Sequence, residues 1–287
     1  MAAPCLLLGD GLTDDTLLHI ASFLSTAKDL LCLRLSNKRF DIKCLAAPEF
    51  LCIPEEAGRR RLAGCSEHER AWVPRRGTES WLALLWELEL LRLPLLFGRS
   101  HARVTLSENG AVAMKESGMQ TFWHAAASQR TMRAGRHFVQ FTLETDPTDR
   151  FDMFLGVIRP GWDVEGGVNG HSDEGLLDQG LLDDEGDGTV APCCYRPLDG
   201  KCYPPRRLPS PDHPLQLQWE GQQGAREDGD RIGMLLDLDE GSMTIWKNDV
   251  KLGVMVTEGL SGPFCWAAML STRNSRIRID SDWDGAA

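Results

Sequence analysis

A chain of 287 residues, 42% apolar and 25% charged, has the composition of a folded soluble protein and the length of one large domain plus a small one. Its formal net charge of -11 argues against a general nucleic-acid or anionic-membrane surface, because gripping phosphates requires a basic face. Nine cysteines, an odd number without regular spacing, do not read as a disulfide framework. Residues 5–8 are too short an apolar core for a signal peptide and follow no basic residue. The most apolar run, 81–97, is interrupted by Glu87, Glu89, Arg92 and Pro94, so no membrane span is expected. The setting these features imply is the reducing cytosol or nucleus.

In chain order, Leu17, Ile20, Phe23 and Leu24 recur at helical spacing, with Leu18 widening the stripe. Thr13 is the expected N-cap, and Asp14 and Asp15 then lie where the helix dipole favours negative charge. Thr26 and Asp29 repeat the start signal as T-x-x-D, before a second helix carrying Leu30, Leu31, Leu33 and Leu35. Ser36-Asn37 ends it, and a third helix begins within 38–45. Helices this short bury little surface alone, so the unit needs a partner or a neighbour. On pattern alone, the stripe fits an ordinary hairpin packed on the rest of the protein as well as a docking ridge.

Residues 46–99 are punctuated by Pro48, Pro54 and Pro74 and carry basic clusters at Arg59-Arg60-Arg61 and Arg75-Arg76. The arginines read as a solvated helix face or as contacts with nearby acids. A helix is expected over 80–93, capped by Ser80, with Trp81, Leu84, Leu85, Leu88 and Leu91 on one stripe and Pro94 ending it. Its expected role is a strut between two domains.

From Val104 the period becomes two. Asn109-Gly110 signals a hairpin between 104–106 and 111–113, and 135–144 and 154–158 are the next strands. Residues 163–188 hold nine Asp and Glu with no Lys or Arg, the composition of a long surface loop. The clearest stretch is 229–255, where Ile232, Met234, Leu236 and Leu238 share one strand face and Leu235 takes the other. Asp239-Glu240-Gly241 and Asn248-Asp249 supply tight turns on either side of a strand in which Met243 and Ile245 alternate with Thr244 and Trp246. Three such strands form an antiparallel meander, which needs a second layer over its apolar face. Leu235 suggests that the opposite face is covered too, which would make Trp246 a core residue.

The run GDRIGMLLDLDEGSMTIWKND, with Leu252-Gly253 and GLSGPFCWAAML after it, resembles the C-terminal half of a SPRY domain. GRHFVQFTLE and FLGVIRPGW resemble strands of its N-terminal half, so the resemblance covers about residues 102–283. It implies a bent antiparallel β-sandwich, not an enzyme, whose loops bind a segment of a partner protein. The pattern of residues 12–40, L-T-D-D-x-L-L-x-I-x-x-F-L and then K-D-L-L-x-L-R-L-S-N-K-R-F, resembles an F-box, with Thr13 and Phe40 where the family has proline and tryptophan. That resemblance implies a ridge of Leu12, Leu17, Ile20, Phe23, Leu24, Leu30, Leu33 and Leu35 docking onto the Skp-family adaptor of a cullin–RING ubiquitin ligase.

The expected fold is α+β in two domains: an F-box-like helical unit (8–47), a helical connector (48–101) and a SPRY-like antiparallel β-sandwich (102–283). The expected function is substrate recognition for the ligase, with an unidentified protein or peptide held by sandwich loops and catalysis left to other subunits. Trp162, Tyr195 and Trp246 are the candidate partner-binding residues. The alternative is a non-enzymatic protein-binding scaffold whose N-terminal helices belong to its own core.

No metal, cofactor or catalytic site is expected. A calcium loop starting at Asp183 would need a glutamate where Cys194 stands. Cys193, Cys194, Cys202 and His213 lack a C-x-x-C knuckle, and adjacent strand cysteines point to opposite faces. No P-loop, dinucleotide fingerprint, HExxH or G-x-S-x-G occurs. A carbohydrate-processing sandwich would need paired carboxylates, whereas a strand acid such as Asp237 stands isolated.

Overall fold

The computed structural model divides the chain into two units, Met1–Leu93 and Pro94–Ala287. It describes residues 12–42, 51–116, 123–144, 153–164, 193–203, 219–225, 227–271 and 274–280. The class is α+β, as the sequence implied: helices first, then two antiparallel sheets.

The first unit contains α1 (Asp14–Ser22), α2 (Ala27–Ser36), a 3-10 turn (Lys38–Asp41), α3 (Ile53–Ala63), α4 (Glu67–Trp72) and α5 (Trp81–Leu91). The expected caps are present. Thr13 accepts from the Thr16 amide, Thr26 and Asp29 close a capping box, and Ser80 accepts from the Ala83 amide. Leu17, Leu18 and Ala21 from α1, Ala27 and Leu30 from α2, Ile53, Ala57 and Leu62 from α3, and Leu82, Leu84, Leu85 and Leu88 from α5 form one core. Helices from residues 51–91, expected as part of a connector, share this core. α3 and α5 supply the apolar surface that the α1–α2 hairpin lacks.

Side chains also tie the helix ends together. Glu89 of α5 accepts the Ala27 amide at the start of α2 at 2.9 Å. Glu55 of α3 accepts from the Ser80 hydroxyl at 2.7 Å and the Leu82 amide at 3.3 Å at the start of α5, and from Arg34 of α2 at 3.2 Å. Arg61 donates to the carbonyls of Ser22, Leu24 and Ser25 at the end of α1. Glu56, fully buried, takes Arg59 and Arg60 at 2.7 Å each, and the Arg59 hydrogen bond leads in holding its carboxyl below the usual range. Each arginine of the cluster thus makes a contact inside the unit.

Among its described residues, the second unit holds thirteen strands in two sheets. The first runs β1 (Phe97–Ser100), β4 (His124–Ser128), β12 (Cys265–Leu270), β6 (Met153–Ile158), β7 (Cys193–Arg196), β8 (Lys201–Tyr203). The second runs β11 (Val250–Val256), β10 (Ser242–Lys247), β9 (Arg231–Asp237), β5 (Arg136–Glu144), β13 (Arg276–Asp280), β3 (Val112–Lys115), β2 (Val104–Ser107). A domain boundary at residue 102 would sever β1, which pairs with β4. That strand has no period-two signature, because Gly98 stands in its middle.

The meander forms as read. β9, β10 and β11 pair in succession, Asn248 and Asp249 both take positive φ (49° and 67°) in the two-residue turn, and Gly241 sits at φ 71°. The β10–β11 register shifts twice, once between Met243 and Thr244 and again between Ile245 and Trp246. Ile232, Met234, Leu236, Met243 and Ile245 face Leu155, Val157, Tyr195 and Trp266 of the other sheet across the core. A second apolar cluster that includes Phe154, Ile158, Ala267 and Met269 covers the far side of the six-stranded sheet.

Among the described residues of this unit, two histidines are buried. His137 donates from Nε2 to the Ala134 carbonyl at 2.7 Å, and the His124 ring lies against that of His101, tilted by 51° with centroids 4.1 Å apart. Burial pushes both imidazoles down to about 4, helped at His124 by the positive charges of Lys115, His101 and Arg103. The folded state thus holds fewer protons than the unfolded chain between pH 6.5 and 4. Stability is complete above this window and falls as pH drops through it, by up to ~1.4 kcal/mol per pH unit per group. Denaturant midpoints at pH 7 and pH 4.5 measure the loss, and His137→Gln should flatten the dependence.

Candidate protein-docking surfaces

Helical geometry sorts the eight expected ridge residues into three sets. Leu17 (1% exposed) and Leu30 (0%) point into the core, one from each helix of the hairpin. Leu12, Leu24 and Leu33 are half-buried against that core. Ile20 (41%), Phe23 (73%) and Leu35 (77%) are exposed. Ile20 and Phe23 are three residues apart on the solvent side of α1, opposite Leu17, Leu18 and Ala21. On α2, Leu31 and Leu35 are four apart and exposed, Cys32 is an exposed thiol, and Ile42 follows the 3-10 turn. Sequence reasoning missed Leu31 and Ile42 as surface residues. The i, i+4 spacing of Leu31 and Leu35 carried the signal, but α2 is apolar on several sides, so period alone does not say which side faces water.

The hairpin is held rigid beneath these side chains. Arg34 pairs with Asp41 at 2.8 Å and reaches Glu55, and the Asp41 hydrogen bond leads in raising its pKa. Arg39 donates to the Leu12 carbonyl. Bracing of the backbone beneath exposed apolar side chains lowers the ordering cost of covering them.

In the sandwich unit the candidates separate. Tyr195 is fully buried, packs edge-on to Trp219 with ring centroids 6.4 Å apart, and donates its hydroxyl to the Gln223 carbonyl. It is a core residue and presents nothing to a partner. Trp162 is half-buried against the second apolar cluster, and its carbonyl accepts from Arg99 at 3.3 Å. Trp246 is not a core residue. Because Met243 and Ile245 take the inner face, Trp246 lies on the outer face, half-buried, opposite Gly233. There it meets Phe138 edge to face, with centroids 6.3 Å apart, and Lys251 lies 5.9 Å from its ring. A Cβ at position 233 would come to 3.0 Å from the Phe138 ring and 3.3 Å from the Trp246 Cβ, so the absent side chain is what lets the aromatics close over the strand. Leu235, which implied a covered face, is itself only half-buried.

The remaining chemistry is structural. Cys193 and Cys202 face the core and Cys194 the second cluster, as adjacent strand positions require. All three are free thiols whose pKa burial raises, Cys202 to about 12. No group of three metal-ligating side chains occurs among the described residues. His213 and the acidic stretch 165–188 lie outside the described residues. Asp237 pairs with Arg136 at 2.7 Å and accepts the Asp239 and Glu240 amides at 2.9 and 3.0 Å, which makes it the cap of a hairpin turn.

The half-buried setting of Trp246 fixes an expected cost. Trp246→Ala should lower stability by about 1–2 kcal/mol, well short of the roughly 3–5 kcal/mol for a buried aromatic. Tyr195→Ala should cost the full amount, and denaturant midpoints of the two variants measure the contrast.

Neither a protein-family model nor a curated protein sequence matches the chain. Among solved structures, it is similar to the SPRY domain of human HERC1, at 16% identity and a TM-score of 0.41 over 62% of this chain and 94% of that one. It is also similar to a human SPRY domain, at 15% identity and a TM-score of 0.40 over 63% and 97%. A third is the PSpry domain of TRIM65, at 13% identity and a TM-score of 0.41 over 65% and 92%.

Proposed function

We propose that this protein is a substrate-recognition subunit of a cullin–RING ubiquitin ligase. In this reading the α1–α2 hairpin binds the Skp-family adaptor and the sandwich holds a protein or peptide to be ubiquitinated. The observation that carries it is the sorting of the hairpin: Leu17 and Leu30 fill the unit's own core while Ile20, Phe23 and Leu35 stand exposed. One exposed apolar side chain would carry nothing, but Ile20, Phe23, Leu31, Leu35 and Ile42 are all exposed within one short helical stretch, which supports a surface that another protein covers. The F-box resemblance of residues 12–40 supplies the adaptor, and the SPRY resemblance of 102–283 supplies the partner-binding unit.

The chemistry of such a subunit is proximity. It raises the effective concentration of the bound partner at a catalytic centre carried elsewhere and contributes no reacting group of its own. On the sandwich, the outer-face pair Trp246 and Phe138 replaces Tyr195 as the point from which to map the partner, since binding energy concentrates in accessible aromatics. No helix among the described residues is long and apolar enough to cross a membrane. The cytosol or nucleus is the compartment we propose.

A scaffold whose N-terminal helices serve only its own core is the second reading, and the burial of Leu17, Leu18 and Leu30 favours it in part. Capture of purified Skp-family adaptor by the full chain separates the two. Ile20→Ala with Phe23→Ala should weaken capture by 100-fold or more, at about 2 kcal/mol for each anchor, while the melting temperature stays within a few degrees. Leu17→Ala should instead lower the melting temperature. Adaptor capture unaffected by the double substitution would sink the ligase reading.

A further inference from the structure

A groove of about 430 Å³ runs between α1 and α3. Asp15, Leu18, His19 and Ser22 line it from α1, and Ala57, Arg60 and Arg61 from α3. Its floor is apolar, because Leu18 (3% exposed) and Ala57 (4%) belong to the core. Its rim is not. Arg61 is committed to the carbonyls of Ser22, Leu24 and Ser25. Arg60 uses only Nε, on Glu56 at 2.7 Å, and its two terminal amino groups have no partner among the described residues. The Asp15 carboxylate has none either. One groove therefore offers an open anion and an open cation on either side of an apolar floor.

The groove is also continuous with the exposed ridge. His19 lines it, and the same imidazole packs edge to face on Phe23 with ring centroids 5.0 Å apart. A protein that covers Phe23 has the groove mouth beside it, one side chain away. Asp15 and Ser22, seven residues apart on one side of α1, span roughly 10 Å, the length of about three extended residues.

We propose that the groove is a second contact for the protein that covers Ile20 and Phe23. It takes a short segment of mixed charge, with a basic side chain set on Asp15, an aliphatic one on Leu18 and Ala57, and a carboxylate on the terminal nitrogens of Arg60. A guanidinium anchored at Nε presents a fixed fork to a carboxylate, which gives the contact direction as well as charge. A purely acidic or purely basic segment is disfavoured by one end of the groove. The groove thereby discriminates among proteins that could cover the apolar ridge. This inference rests on the adaptor reading above.

The test is calorimetric titration of the full chain with purified Skp-family adaptor at low and high salt. Asp15→Arg and Arg60→Glu should each weaken binding by roughly tenfold at low salt and by less at high salt, since the lost contacts are screened. Asp15→Arg also reverses a favourable charge in the first turn of α1, so the melting temperature is measured for this variant too. The melting temperature checks Arg60→Glu, and His19→Ala provides a third probe that leaves the Glu56 pairs intact. If Ile20→Ala with Phe23→Ala abolishes binding while all three groove variants bind within twofold of wild type, the groove inference falls and the adaptor reading stands. If the wild-type chain does not bind adaptor at all, both fall together.

Discussion

Two neighbouring carboxylates in the first turn of α3 hold the helical unit together. Glu55 and Glu56 are 8% and 0% exposed, a costly position for charge unless every lone pair is used. Glu55 uses its oxygens on the start of α5 and on Arg34 of α2, and Glu56 on the two arginines one turn further along. With Glu89 on the start of α2 and Arg61 on the end of α1, several helix ends that water would otherwise satisfy are closed by side chains of other helices. Helices of nine to eleven residues are marginal alone, so this lattice fixes the orientation of α1 and α2 as much as the leucine core does.

The exposed ridge is therefore a property of the whole helical unit and not of residues 12–42. Burial of Leu17 and Leu30 sets which way Ile20, Phe23 and Leu35 must point, and that burial needs α3 and α5. Cutting the chain after the hairpin would remove the partners that turn those side chains outward.

What the sequence disclosed follows from local physics. Period two and turn residues revealed the meander, and hydroxyl side chains before apolar runs revealed the starts of α1, α2 and α5. What it hid was tertiary. Glu55 and Glu56 look like ordinary first-turn acids complementing a dipole, and nothing local marks them as buried. Period two places Trp246 on the correct side of its strand, yet whether that side is covered depends on other layers of the protein. Tyr195 sits in a short strand among cysteines whose apolar role is plain only once the facing sheet is present. Leu31 and Leu35 fall in a helix apolar on several sides, where the choice of inner side belongs to α3 and α5.

The register shifts along β11 have a consequence for solubility. Of the four strands that end the two sheets, β1, β2 and β8 are three or four residues long, and β11 has seven. Only a long, flat edge offers a template for another chain's backbone, and β11 is the edge interrupted by two irregularities and carrying Lys251. Pairing of a further strand onto this edge, the longest among the described residues, is thereby disfavoured at the place where it would start most easily.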